Sequence, residues 1–396
     1  ALAGQTMLAA SSTYYAFVRH TNLVGSAAWS AGVLFTTPYA GASSTYALEF
    51  DDVTPDSAFD YDPAIVEVNV SGNGRARLKD IGSGRYTTLP YPGWSSYRAL
   101  TIANANASTL TNMQVKVTVD YVAGMQATFA DIRFASSDGL TNIPYWLESK
   151  TDGVSAVFWV KIPSLAASAS TNIRMYYGNS SAVSASDGAS TFLFFDDFSD
   201  GSVSDWSSFA VHAAAPTASV VGGMLQLAGA SREGGVYFPG YTFTNGIVEA
   251  NMILDQRTGN GQDAYVAARG NSGMTNFYRF GPYWSGSAEA GIAREAGHIQ
   301  LNFSAFDYGN AVTRKLTFQL NGSSLIGRVD NTTYGATTDA NYTSGYIGFG
   351  FDASHENSTN MQIRIDDVRV RQYVATAPTV SSVGSEQVAE SFTSIT

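Results

Sequence analysis

The sequence predicts an all-β protein made of tandem β-sandwich or jelly-roll domains, with extended strands at its two ends. Two segments alternate apolar and polar residues with a period of two, as half-buried strands do: NMQVKVTVDYV at 112–122 and MQIRIDDVRVRQYV at 361–374. Turn signals such as Asn321–Gly322 recur at short spacing, and no segment keeps the 3.6-residue period of an amphipathic helix.

The composition supports several packed cores beneath a surface of low charge. Of the 396 residues, 44% are hydrophobic and 13% aromatic, which is ample for more than one domain interior. Only 14% are charged, against roughly 25% in ordinary soluble domains, so Ser, Thr, Asn, Gly and Tyr must cover much of the surface.

Several function classes are disfavoured by what the sequence lacks. A net charge of −11 without any basic run argues against nucleic acid as a partner. The absence of Cys excludes disulfides and thiolate metal sites, and no run of 18 apolar residues could span a membrane. The four histidines are isolated and no nucleophile or phosphate-loop motif occurs, so we do not expect an enzyme.

The pattern of strands and breakers divides the chain into four regions. The segment TLPYPGW interrupts the strand pattern near residue 92, and the stretch FLFFDDFSDGS at 192–202 starts a new run of aromatic residues. The predicted regions are an N-terminal β domain at 1–92, a β-sandwich at 93–192, a longer sandwich at 193–374 and a C-terminal tail at 375–396.

The second region contains five blocks with a recognisable pattern: WSSYRALTIAN (94–104), FADIRFASSDG (129–139), IPYWLES (143–149), VFWVKIPSL (157–165) and TNIRMYYGN (171–179). In their order and spacing they resemble the DUF2341 domain of prokaryotic cell-surface proteins. The resemblance implies that FFDDF opens a concanavalin/laminin-G-like sandwich and that IRIDDVRVRQY is its last strand. It implies an extracellular, cell-surface location and brings no known activity with it.

The aspartates at the two ends of the third region are candidate metal ligands. In sandwiches that resemble this one the first and last strands lie side by side, which would bring Asp196 and Asp197 next to Asp366 and Asp367. With Asp200, these carboxylates suit a structural Ca²⁺ ion, which prefers oxygen ligands. The alternative is that they cap turns or face solvent, and a catalytic carboxylate pair is a third interpretation.

Glycosylation is predicted by an excess of N-x-Ser/Thr sequons, about twice the number expected by chance. The sequons begin at Asn69, Asn106, Asn179, Asn302, Asn321, Asn331, Asn341 and Asn357. The first residues, ALAGQTMLAASS, resemble a mature N-terminus left after removal of a signal peptide. Both observations favour an extracellular glycoprotein.

Three aromatic residues are candidate glycan contacts, because lectin-like sandwiches stack sugar rings on exposed aromatic side chains. Tyr278, Tyr283 and Trp284 lie in FYRFGPYWSG near a predicted loop. The alternative is that they pack in the core or against neighbouring strands.

The N-terminal segment is a candidate assembly strand. Residues 13–24 alternate and are rich in aromatics, so Tyr14, Tyr15, Phe17 and Val18 could fill a groove in a neighbouring copy by donor-strand complementation. The tail at 375–396 is the rival donor, and the alternative is that both ends pair within their own sheets. Head-to-tail contacts of this kind build filaments. The main hypothesis is therefore a homopolymer, as an extracellular filament or surface layer. A carbohydrate-binding adhesin is the alternative, and a glycan-active enzyme comes third.

Overall fold

In the computed structural model, only short strands are described within residues 1–90. Most of the chain after residue 90 is described. The described residues after position 90 are 91, 93–212, 214–229, 233–256, 263–284, 287–295, 297–353 and 361–389. The chain forms two compact units, Ala1–Thr88 and Leu89–Thr396. The second unit therefore contains the regions predicted as two separate sandwiches together with the predicted tail. Among the described residues, no helix has the length and apolar character needed to cross a membrane.

Seven short strands are described in the N-terminal unit. They are β1 (Ser12–Ala16), β2 (Arg19–Thr21), β3 (Ala27–Trp29), β4 (Val33–Thr37), β5 (Ala47–Glu49), β6 (Val66–Asn69) and β7 (Arg75–Leu78). Strand β1 pairs with β4, β2 pairs with β3, and β7 lies between β5 and β6.

The second unit begins with a sandwich of two small antiparallel sheets, which we call the first sandwich. Its strands are β8 (Ser96–Asn104), β9 (Leu110–Asp120), β10 (Arg133–Ser136), β11 (Tyr145–Thr151), β12 (Ser155–Leu165) and β13 (Ala169–Tyr177). Strand β9 buries Met113, Val115, Val117 and Val119, which confirms the predicted period of two. These side chains pack against Ile102 and others of the facing sheet.

A larger sandwich follows, which we call the second sandwich. After the helical turn α1 (Gly188–Thr191), its strands are β14 (Phe194–Asp196), β15 (Ser207–His212), β16 (Thr217–Val221), β17 (Met224–Gly229), β18 (Glu233–Phe243), β19 (Gly246–Gln256), β20 (Asp263–Gly270), β21 (Tyr278–Trp284), β22 (Ala288–Arg294), β23 (Ile299–Ala305), β24 (Thr313–Asn321), β25 (Ser324–Val329), β26 (Thr332–Thr338), β27 (Gly345–Asp352) and β28 (Met361–Arg371).

These strands form two antiparallel sheets with one core between them. The first sheet has the order β16-β17-β28-β19-β24-β25-β26, with β14 also paired to β28. The second has the order β15-β18-β27-β20-β21-β22-β23 and is called the site sheet below. Apolar side chains from both sheets fill a single interior. The prediction of an all-β protein of tandem sandwiches is thus confirmed for the described residues.

The last strand returns to the first sandwich. Strand β29 (Thr379–Val388) pairs with β8 and completes the sheet β10-β13-β8-β29. The sequence predicts a C-terminal tail and rival donor strand at 375–396, with pairing within the protein's own sheets as the alternative. The pairing of β29 with β8 matches that alternative, and most of β29 is exposed. The second sandwich is therefore inserted between two strands of the first sandwich.

The aromatic stretch at 192–198 joins the two sandwiches. Phe192 and Phe195 pack with Trp146 of the first sandwich, whereas Phe194 and Phe198 belong to the core of the second. Because successive strand residues point to opposite sides, one short segment can contribute to two interiors.

Candidate functional site

The outer face of the site sheet carries a row of buried acidic residues. Glu233 begins β18, Asp352 ends β27 and Asp263 begins β20, and the register places Asp352 directly opposite both of the others. Directly opposed residues on antiparallel strands point to the same face. The core instead receives Ala264 and Val266, so the three carboxylates lie on the face turned away from it. Each of the three residues is at most 3% exposed.

Arg279 on β21 binds Asp263, at one end of this row, and also Glu295. Its Nε lies 2.9 Å from Oε1 of Glu295, and its Nη2 lies 3.3 Å from Oδ2 of Asp263. Its guanidinium carbon is 5.1 Å from the centre of the Tyr265 ring. Burial works against the charge of Arg279, but Asp263 and Glu295 outweigh it and raise the pKa of the guanidinium. Arg279 therefore remains charged and orients both carboxylates.

His298 approaches the same group from the turn after β22. Its backbone has a φ of +54°, a region that side chains other than glycine seldom adopt. Its Nδ1 lies 3.6 Å from Oε1 of Glu295 and 3.2 Å from Nη2 of Arg279. One ring nitrogen of His298 and one carboxylate oxygen each of Glu233 and Asp352 lie within 4.8 Å of one another. Among the described residues, this is the one such group of histidine and acidic side chains.

A shallow cleft adjoins the buried acids. It is lined by Asp263, Ala264, Tyr265, Arg279, Gly281, Pro282, Tyr283, Gly291, Ala293 and Phe303. Gly281 and Gly291 form part of the floor, where a Cβ would collide with the Ala264 carbonyl or the Phe303 ring. The rings of Tyr283 and Phe303 meet at 5.0 Å, and both are half-buried. The cleft thus combines partly exposed aromatic surface with charged hydrogen-bonding groups.

Tyr265 lies at the closed side of the cleft. It is 1% exposed, and its hydroxyl has no hydrogen-bond partner within the described part of the chain. Burial, with smaller contributions from Glu295, Glu233 and Asp352, raises the pKa of Tyr265 well above its usual range. Tyr265 is therefore a neutral phenol that can donate a hydrogen bond.

The paired aspartates are brought together by the pairing of β14 with β28, with Asp196 opposite Val368. Asp196 accepts hydrogen bonds from the Phe198 N–H at 2.8 Å and from Nε1 of Trp206 at 2.7 Å. Asp197 and Asp200 cap local turns, because each accepts from the backbone N–H two residues further on. These contacts match the turn-capping alternative.

The other pair stands in an acidic environment. Oδ1 of Asp366 accepts from the Asp367 N–H, and Oδ2 of Asp367 accepts from Nδ2 of Asn251. Burial, followed by the charges of Asp367, Asp197 and Asp196, raises the pKa of Asp366 to about 6. The four aspartates do not supply three ligand oxygens that lie within 4.8 Å of one another. Binding of Ca²⁺ at these residues stays a prediction.

The predicted glycan contacts separate on the structure. Tyr278 is fully buried in the core and its hydroxyl donates to Asp339, so its assignment as a glycan contact was wrong. The reason is strand alternation: positions 278 and 283 face opposite sides of β21. Tyr283 lines the cleft. The side chain of Trp284, at the end of the strand, lies outside the described residues.

The predicted assembly strand falls in the N-terminal unit. Tyr14 and Tyr15 lie on β1, opposite Phe35 and Leu34 of β4. The neighbouring predicted residues, Phe17 and Val18, lie outside the described residues.

The sequon asparagines differ in exposure. Asn302, Asn331 and Asn341 are exposed, whereas Asn106, Asn179 and Asn321 are half-buried. Nδ2 of Asn106, the atom that a glycan would modify, donates to Oδ1 of Asn104 and to the carbonyl of Thr376. The side chain of Asn69 and the whole of Asn357 lie outside the described residues.

Comparisons with known proteins support the family resemblance for part of the chain. Residues 128–209 match the family described as "Domain of unknown function (DUF2341)". Four of the five sequence blocks fall in this range, whereas WSSYRALTIAN precedes it. The match continues through β14 into β15, so it includes the seam between the sandwiches. No curated protein matches the chain.

Solved structures that are similar to this chain are β-sandwich proteins of low sequence identity. A carbohydrate binding module CBM66 from Bacillus subtilis is 10% identical, with 42% of this chain and 96% of that chain covered and a TM-score of 0.35. A protein of unknown function with a galectin-like fold from Bacillus subtilis is 16% identical, covering 47% and 97%, with a TM-score of 0.38. The laminarinase catalytic domain from Thermotoga maritima is 11% identical, covering 46% and 98%, with a TM-score of 0.37. At these scores the similarities establish no function for this chain.

The sequence alone did not predict the cluster formed by the buried acids and His298. Glu233, Asp263 and Asp352 stand alone in sequence, and only the register of β18, β27 and β20 brings them together. His298 is one of the four isolated histidines. One feature of the sequence could have indicated the cluster. All three acids lie at the end of a strand, and opposed positions at strand ends form a row across a sheet.

Proposed function

We propose that this chain is an extracellular carbohydrate-binding protein of the cell surface, whose glycan site is the cleft on the outer face of the site sheet. The observation that carries the proposal is the pairing of aromatic and charged groups there: Tyr283 and Phe303 on one side, Asp263 and Arg279 on the other. We propose binding without turnover.

The chemistry of the cleft suits one sugar unit. The C–H faces of a pyranose pack on aromatic rings, which Tyr283 and Phe303 supply. Sugar hydroxyls donate to carboxylate oxygens and accept from guanidinium N–H groups, and Asp263 and Arg279 line the cleft with the small exposed fraction of such groups. The cleft is a surface depression and not an enclosed cavity, so a single residue of a longer glycan would rest against it without being enclosed.

A glycan array tests this proposal with the full chain and matched variants. We expect wild type to bind a defined set of glycans and Tyr283→Ala or Phe303→Ala to lose at least tenfold in affinity for them. The control is Tyr97→Ala, which removes a half-buried tyrosine of the first sandwich that stacks with Arg174 at 4.6 Å. Equal binding by wild type and the cleft variants would exclude this cleft as the glycan site.

A second candidate function, a homopolymeric filament or surface layer, is favoured by strand β29. This terminal strand is mostly exposed and joins β8 largely through main-chain pairing, with Val380 against the core and Ala389 buried. Exchange of such a strand between copies keeps every native contact and links the copies head to tail. We therefore propose β29, rather than residues 1–24, as the donor strand of any such polymer.

The cysteine-free sequence permits a direct test of strand exchange. Thr379 pairs with Ala103, and both positions lie away from the core, so Ala103→Cys with Thr379→Cys can form a cross-strand disulfide. If β29 pairs with β8 of its own chain, the disulfide gives oxidised monomers on a non-reducing gel. If β29 is exchanged between copies, the disulfide gives a ladder of covalent oligomers. Each single-cysteine variant serves as the control. A gel that shows only monomers in concentrated or fibrous samples would exclude exchange of β29.

A further inference from the structure

One acidic side chain beside the cleft is accessible and has no part in the glycan site described so far. Glu289 lies on β22, directly opposite Tyr283 of β21, so the two side chains point to the same outer face of the site sheet. Glu289 is half-buried, whereas Asp263 and Arg279 are at most 4% exposed. A ligand that rests on Tyr283 therefore meets the carboxylate of Glu289 more readily than either of the buried groups.

The neighbours of Glu289 on this face are small or aromatic. Ala305 of β23 lies directly opposite Glu289 on its other side, and Gly291 follows two residues later on the same strand. Gly291 is opposite both Gly281 and Phe303, which makes these two residues the diagonal neighbours of Glu289. Within the described part of the chain, no side chain forms a hydrogen bond or ion pair with the Glu289 carboxylate. Its oxygens are therefore available to solvent or to a ligand.

We propose that Glu289 binds two neighbouring hydroxyl groups of a neutral sugar ring and thereby selects uncharged glycans over anionic ones. Glu289 can have this role only if the proposed function is correct, because the role names the class of sugar that the same cleft takes. The two oxygens of an ionised carboxylate can accept from two adjacent hydroxyl groups at once, in charge-assisted hydrogen bonds. A sugar whose C–H face packs on Tyr283 directs its hydroxyl groups sideways, towards the neighbouring position on β22.

The same negative charge disfavours an anionic sugar. A uronic acid would place a second negative charge beside Glu289, and none of the described neighbours of Glu289 on the face carries a positive charge to offset it. Arg279 is already bound by the carboxylates of Asp263 and Glu295. Because salt screens the repulsion between exposed charges, the preference for neutral sugars should weaken at high ionic strength.

The test measures binding of the full chain to neutral oligosaccharides of glucose, mannose and galactose and to the corresponding uronic-acid oligosaccharides, by titration calorimetry. We expect wild type to bind at least one neutral oligosaccharide, and its uronic-acid counterpart about tenfold or more weakly. Glu289→Gln should weaken binding of the neutral oligosaccharide by about tenfold, because a charged acceptor becomes a neutral one. The same variant should narrow the difference between the two sugars. Glu386→Gln is the matched control, because it removes the same charge from an exposed position on β29.

The outcomes separate the role of Glu289 from the proposed function. If Tyr283→Ala loses binding while Glu289→Gln and Glu289→Ala bind the neutral oligosaccharide like wild type, the cleft binds glycans but the role of Glu289 is wrong. Uronic-acid oligosaccharides that bind as tightly as their neutral counterparts, or no binding of any neutral oligosaccharide, would also overturn that role. No binding of any glycan would overturn the proposed function as well. Glu289→Gln keeps the size of a half-buried side chain, and its melting temperature checks that the fold is retained.

Discussion

Arg369 of the second sandwich binds Glu148 of the first through a contact of 2.6 Å between Nη2 and Oε1. The same guanidinium binds Glu249 at 3.0 Å and lies 5.0 Å from the centre of the Trp146 ring. Arg369 is 1% exposed, so its charge depends on these partners. This contact, together with the return of β29, joins the two sandwiches into one unit.

Removal of Arg369 should therefore be strongly destabilising. Arg369→Ala leaves Glu249 buried with less compensation, which costs about 3–5 kcal/mol of the free energy of unfolding. Urea unfolding measures the loss. Arg364→Ala is the matched control, because the Arg364–Asp255 pair is partly exposed and should contribute about 1 kcal/mol or less. Similar losses for the two variants would contradict the role assigned to Arg369.

The stability of the protein should depend on pH through Asp366. Its pKa is raised from 3.8 to about 6 in the folded state, so the folded protein binds this proton more tightly than the unfolded chain. The stabilisation is complete below pH 4 and is lost as the pH rises to about 6. Asp366→Asn should remove this loss, as measured by urea unfolding from pH 4 to pH 7.

A suitable control for the pH experiment is Asp255→Asn. The hydrogen bond from Arg364 lowers the pKa of Asp255. The contribution of Asp255 to the free energy of unfolding is therefore lost only as the pH falls below about 4. If the free energy of unfolding of Asp366→Asn falls between pH 4 and pH 6 as steeply as that of wild type, Asp366 does not cause this pH dependence.

Calcium at the paired aspartates remains a separate prediction. An ion there would favour the ionised form of Asp366 and relieve its repulsion from Asp367, Asp197 and Asp196. Addition of Ca²⁺ to EDTA-stripped protein at pH 7 should raise the melting temperature of wild type but not of Asp366→Asn. His298→Ala, a change in the turn after β22 on the other sheet, should respond like wild type and serves as the control. Equal responses of wild type and Asp366→Asn would exclude the aspartates as ligands.

Deletion of residues 376–396 should destabilise the first sandwich selectively. The deletion exposes the edge of β8 and removes Val380 and Ala389 from their apolar contacts. An open edge also invites pairing with other chains. We expect aggregation together with earlier loss of amide protection in β8 and β13 than in β20 and β27, measured by hydrogen exchange. Uniform loss of protection throughout the unit would show that the two sandwiches unfold as one.

The sequence predicted those strands in which apolar and polar residues alternate within the strand itself. The alternation at 112–122 became β9, and that at 361–374 became β28, whose buried positions change phase at a bulge at Asp366 and Asp367. The bounds and partner of β29 were not predictable, because the strand is mostly exposed and its pairing with β8 shifts register after Val380 and again after Val383.

The candidate site was predictable only in part. Tyr283 could be proposed from a cluster of aromatic residues, but the same cluster also suggested the buried Tyr278. The row formed by Glu233, Asp352 and Asp263 depends on which strands are neighbours, and no local pattern encodes that order.

The most direct test of the glycan site is a crystal structure of the full chain with a glycan selected by the array. The account predicts one sugar ring against Tyr283 and Phe303, with hydroxyl groups bonded to Asp263 and Arg279. A glycan bound elsewhere, for example on the first sandwich, would contradict the assignment of the site, and the absence of binding to any glycan would contradict the proposed function itself.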